Sequence, residues 1–137
     1  MQVRKIATLP VAPSRAKIYL QRAREIHTLA EEALARQLWH GLALLSLELI
    51  VVLGDAVLVR ERGFRPRSPD PRELPDLLTR EVPYLPDLDE AIAHARRVMV
   101  RTDVLDHAPR PIGRVEASRL KQHADAFRAW ALGLLES

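Results

Sequence analysis

Positions 39 to 62 read WHGLALLSLELIVVLGDAVLVRER, an almost unbroken apolar run that carries only Glu48 and Asp55 before its charged end. The run is too long for a strand and apolar around its whole circumference, so it predicts a helix that must be wrapped on every side. As a membrane span it would carry each central acid at a cost of roughly 2.5–3.5 kcal/mol, with no second span to shelter them. The central helix of a bundle is therefore the expectation, with no membrane contact. Gly63 follows, suited to the left-handed residue after a helix end.

At 100° per residue, Glu48 and Asp55 fall about 20° apart on that helix. Both belong to one stripe, shared with Leu44, Val51 and Arg62. An unpaired carboxylate inside a bundle costs several kcal/mol or takes up a proton. Two arrangements avoid that cost. Each acid pairs with an Arg, a Tyr hydroxyl or a helix-end amide of a neighbouring helix. Alternatively, both line a polar slot that opens to solvent or to a second subunit and supports a binding or catalytic group. No His follows either acid at three or four residues, so the Glu-x-x-His pairs of di-iron bundles are missing. No metal and no cofactor are expected.

The flanks show the same helical period. A first helix is expected after Ser14 as N-cap, running to about Arg36 with Tyr19, Ala23, Ile26, Ala30 and Leu34 as its inner stripe, and Gln37–Gly41 as the turn that follows. Residues 64 to 86 hold six of the ten prolines and form a connector. Within it, Asp70, Pro71 and Glu73 have the spacing of a capped short helix that reaches about Arg80. Asp87 and Glu90 repeat that spacing and open a further helix, whose stripe is Leu88, Ala91 or Ile92, Ala95, Met99, Thr102 and Leu105. HAPRPIG, 107 to 113, breaks it. The last helix spans about Arg114 to Leu135 through Ala117, Leu120, Ala124, Phe127, Ala131 and Leu134. Strand signals are nearly absent. The expectation is an all-α bundle of four main helices and one short one, in up-down topology, over residues 14–137, with 1–13 as an extended arm and not a targeting segment.

Composition narrows the chemistry. The chain has 137 residues, no Cys, and a formal net charge of +3. Without Cys there is no disulfide framework or thiol nucleophile, and a reducing cytoplasmic setting is expected. The small positive excess permits an anionic partner without requiring one. No Gly-rich phosphate loop or base-stacking aromatic platform is present. His40, His94 and His123 have no ligand spacing on a common face, so solvated or capping roles are expected for each.

Residues 34 to 78, LARQLWHGLALLSLELIVVLGDAVLVRERGFRPRSPDPRELPDLL, carry Gly54-Asp55-Ala56-Val57-Leu58 and then Gly63, Phe64, Arg65 and Arg67-Ser68-Pro69-Asp70-Pro71. This resembles the first helical hairpin of HEPN domains, with Pro71 where that family has His. Arg110-Pro111-Ile112 and Phe127–Trp130 are similar to the family's closing segment, with His107 where Tyr is expected. The likeness spans roughly residues 16 to 132. It implies a helical bundle that dimerises. It further implies either a non-catalytic module for nucleotide or protein interaction, or a metal-independent ribonuclease of toxin or defence type, paired with a partner such as a nucleotidyltransferase antitoxin. The family's Arg-x(4–6)-His pair falls on Arg101 and His107, with Asp55 and Glu48 as supporting acids. In the catalytic reading His107 is the general acid or base on RNA and Arg101 stabilises phosphoryl charge. Arg22 and His27, with four residues between them, also fall within that x(4–6) range; position beside the 107–113 break singles out Arg101 and His107, with five between them. Six residues apart, they diverge by about 120° on a straight helix, so a shared site needs a helix end between them or a twofold mate.

Overall fold

The computed structural model describes residues 5–107 and 109–137, except for the side chains of 103–106. The apolar run forms one helix, α2 (Trp39–Arg62). It ends where Gly63 takes φ +71° and donates its N–H to the Val59 carbonyl at 3.0 Å. Around it stand α1 (Ala16–Ala35), α3 (Glu73–Glu81), α4 (Leu88–His107) and α5 (Arg114–Leu135), an all-α bundle of four long helices and one short one. α2 touches all four. Its Leu42, Leu49, Ile50, Leu53, Val57, Leu58 and Val59 are fully buried. By length and composition α2 could cross a membrane, yet most of it is buried against the other helices.

α1 meets α2 through small side chains. Ala16, Ala23 and Ala30 recur every seven positions and, with Ala33, are buried. Their methyls let the two helix axes come close, while Tyr19, Ile26 and Leu34 pack at the margins. Ser14 does not act as N-cap. It lies in a 3-10 turn, Pro13–Arg15, and α1 continues from that turn without a side-chain cap. Gln37, at φ +57°, reverses the chain into α2.

Both alternatives for the second position of the α4 stripe, Ala91 and Ile92, are buried, together with Leu88, Ala95, Val98, Met99 and Thr102. The Thr102 hydroxyl donates to the Val98 carbonyl at 2.9 Å, so a polar atom enters the core already satisfied by its own helix. The side chain of Leu105 and the first four residues of the arm lie outside what the structure describes. Asp87 takes φ +59° instead of the extended conformation of an N-cap. α5 buries Ala117, Leu120, Ala124, Phe127 and Ala131. Trp130 packs on Phe127 with ring centroids 5.3 Å apart and donates its indole N–H to the Pro86 carbonyl at 2.7 Å, fastening α5 to the loop before α4.

In the connector the Asp70 carboxylate accepts the Arg72 N–H at 3.0 Å, but regular helix begins only at Glu73. Two three-residue strands, β1 (Thr8–Pro10) and β2 (Phe64–Pro66), pair antiparallel with Leu9 opposite Arg65. The Val11 N–H bonds the Gly63 carbonyl and the Arg67 N–H bonds the Ala7 carbonyl, each at 2.9 Å, so the arm lies along the residues that leave α2.

α3 approaches α2 at Gly54, where an added Cβ would stand 2.4 Å from Leu74 Cδ2. Leu74 is itself fully enclosed. Gly54→Ala gains helix propensity, about 1 kcal/mol, but overpacking costs about 1–3 kcal/mol. Urea denaturation should therefore show a net loss of up to about 2 kcal/mol. A stabilised variant would mean that α3 moves freely over α2.

Candidate functional site

His94, Arg97 and Arg101 on α4 follow i, i+3, i+7 spacing, as do Glu116, Arg119 and His123 on α5. Each set therefore runs down one side of its helix. The helices pack against one another, and a cleft of about 210 Å³ opens between them, lined by Arg97, Arg101, Glu116, Arg119, Leu120 and His123. Three guanidiniums there face one carboxylate. Glu116 is engaged by Arg110 at 2.7 Å and by Arg101 at 3.4 Å. The hydrogen bond from Arg110 chiefly holds its carboxyl below the ordinary glutamate range. Arg97 and Arg119 make no ion pair among the described residues. Unneutralised cations in an open cleft draw anions to it.

Beside the cleft, His94 Nδ1 and His123 Nδ1 lie 2.9 Å apart, with ring centroids at 5.2 Å and planes tilted by 41°. One nitrogen donates the proton and the other accepts it. Burial, then His94 and Arg97, push the His123 imidazole below its ordinary pKa. Sequence reasoning weighed these histidines separately and missed the pair. Spacing rules look along one helix, whereas this contact joins two.

Arg101 sits in this cleft. His107 is exposed as the last residue of α4 and is not among the residues that line it. α4 is unbroken between them, so the two point about 120° apart and are displaced by about 9 Å along the axis. Within one chain they do not meet.

The two acids of α2 part company. Glu48 is exposed, contrary to the expectation of two buried acids. The stripe that holds both is the least covered side of α2, with Leu44 42% exposed. Asp55 is buried because β2 crosses that side and brings Arg65, whose Nε stands 3.3 Å from Asp55 Oδ2. The partner thus comes from the ribbon and not from a helix. A groove of about 310 Å³ opens beside them, with Tyr19, Arg22 and Glu25 on one wall and Glu48 on the other. Slot and ion pair, posed as alternatives, coexist for Asp55.

A third polar group joins α1 to α5. Donor atoms of His27, Glu31 and Asp125 lie within 4.8 Å of one another. The Lys121 ammonium bonds Glu31 and Asp125, each at 2.7 Å, and its side chain is only 10% exposed. Burial opposes its charge, but the two carboxylates outweigh burial and leave its pKa raised. The chain fills this cation position with its own lysine. No family model, curated protein or solved structure matches the chain.

Desolvation, opposed by Arg65 and reinforced by Glu48, pushes Asp55 up to about 6 from 3.8. Between about pH 4 and 6 the folded chain holds a proton that the unfolded chain has released. Stability attributable to Asp55 therefore falls as pH rises through that window, by on the order of 3 kcal/mol. Asp55→Asn should match the parent near pH 4 and exceed it at pH 7 in urea denaturation. A variant less stable at pH 7 would show that the Arg65 pair outweighs the desolvation.

Proposed function

We propose that the chain is a HEPN-like module that binds a phosphate-bearing ligand, an RNA or a nucleotide, in the α4–α5 cleft without cleaving it. The observation that carries this reading is the convergence of Arg97, Arg101 and Arg119 on one open cleft, two of them with no ion pair among the described residues. Guanidiniums offer phosphate oxygens paired, planar donors that lysine lacks. The reading includes a homodimer in the cytoplasm and a partner protein of the nucleotidyltransferase antitoxin kind. Val100 and Val115, 68% and 60% exposed, adjoin Arg101 and Glu116 in sequence and offer apolar surface next to the cleft.

A second reading, a metal-independent ribonuclease, draws support from His123, which shares the cleft with all three arginines. Its imidazole, relayed through His94, would serve as the acid–base group that His107 cannot be within one chain.

Fluorescence anisotropy with a single-stranded RNA decides the binding reading. The parent should bind at low salt. Each of Arg97→Ala and Arg119→Ala should weaken binding and lower the salt slope by about 0.7. No binding by the parent, or unchanged binding in both variants, overturns it. Incubation of the RNA in EDTA separates the two readings. Intact RNA fits the module. Cleavage abolished by His123→Ala fits the cleft-based enzyme, and cleavage abolished by His107→Ala fits the twofold composite of Arg101 and His107. Sedimentation at tens of micromolar should show a dimer, and a monomer would remove that composite.

A further inference from the structure

We propose that His94 and His123 form a two-imidazole site for a late first-row divalent cation such as Zn2+, beside the α4–α5 cleft that His123 lines. Their Nδ1 atoms face one another at 2.9 Å across two helices, with rings tilted by 41°. Two nitrogens at this separation share one proton between two lone-pair positions. A cation takes the place of that proton, which moves through solvent to Nε2 of the same ring, so that both imidazoles bind as neutral ligands and no net proton is released. Tetrahedral Zn2+ with Zn–N of about 2.0–2.1 Å sets its nitrogens about 3.3 Å apart. The rings need to separate by only about 0.4 Å, within reach of side-chain rotation.

The frame that holds them is rigid. Ala95 and Val98 flank His94 on α4, and Ala124 and Phe127 flank His123 on α5, all fully buried. The imidazoles therefore begin in place, and little ordering is left for the metal to impose. Imidazole nitrogen is a ligand suited to Zn, Cu and Ni and poorly suited to Mg or Ca. Two protein ligands leave coordination positions open towards the cleft.

The same arginines oppose a bare cation, since Arg97 already acts on His123. A phosphate held by Arg97 and Arg119 offsets that repulsion and offers an oxygen to an open position. This coupling rests on the phosphate reading above, whereas the cation site rests on the histidine geometry alone. Cation and phosphate then strengthen one another by the same factor. The His27, Glu31 and Asp125 group differs, because Lys121 stands between its carboxylates.

The test is calorimetric titration of the untagged full chain with Zn2+ at pH 7.5, with and without adenosine monophosphate. Long-range 1H–15N spectra of the unmutated protein are recorded alongside. Expected are one equivalent of Zn2+, displaced Nδ1 resonances at both His94 and His123, and tighter Zn2+ binding with the nucleotide present. Even outer-shell partners of a metal are worth about 10- to 100-fold in affinity, so His94→Gln and His123→Gln should each cost at least that much. No Zn2+ uptake, or displacement confined to other histidines, overturns the site without reliance on any variant. Zn2+ bound at both Nδ1 atoms with no response to the nucleotide upholds the cation site and counts against the phosphate reading.

Discussion

A helix without a polar face persists in water only if other chain covers it, and α2 is such a helix. Burying one leucine, valine or isoleucine side chain is worth roughly 1.5–3 kcal/mol, so its many enclosed aliphatic side chains dominate what folding gains. The neighbours are shaped to that demand. α1 supplies alanines at heptad intervals to come close, α3 presses Leu74 against the bare backbone at Gly54, and α4 and α5 cover further sides, leaving the stripe of Leu44 and Glu48 open. Aromatic residues play a smaller part. Phe127 is the one aromatic ring among the largest fully buried side chains.

Charge collects where this wrapping thins, and the bundle treats it in three ways. At Asp55 a strand brings Arg65 over the exposed stripe of α2, yet desolvation still prevails and the carboxyl titrates near 6. Between α1 and α5, Lys121 bridges two carboxylates and closes the account of charge locally. Along α4 and α5 three arginines face a single glutamate that Arg110 already holds. That last cleft holds Arg97 and Arg119, neither of which makes an ion pair among the described residues.

Patterns local to one helix were legible in the sequence, and relations between helices were not. Apolar periodicity with Gly63 gave α2 its limits, and the 107–113 break with the Ala117 to Ala131 stripe gave α5 its own. Glu48 and Asp55 share a stripe, so no reading of α2 alone could show that β2 covers one and leaves the other in solvent. The ribbon escaped notice because three-residue strands carrying Pro10 and Pro66 have no alternating pattern to detect. The His94–His123 contact escaped for a related reason: its partners are separated by a loop whose geometry the sequence does not state. Caps proved the weakest inference. Ser14 lies within a 3-10 turn, and Asp87 adopts a left-handed backbone.

The arm laid against the chain leaving α2 ties distant parts of the molecule together. Arg65 sits opposite Leu9, and backbone bonds at Ala7 and Val11 bracket that pairing. Peeling the first strand away, by a bulky fusion or a protease nick near Ala12, would unclamp the guanidinium and let water reach Asp55. An event at one edge of the molecule would thus be felt as altered acidity in a groove on its flank, by mechanical linkage and with no ligand involved.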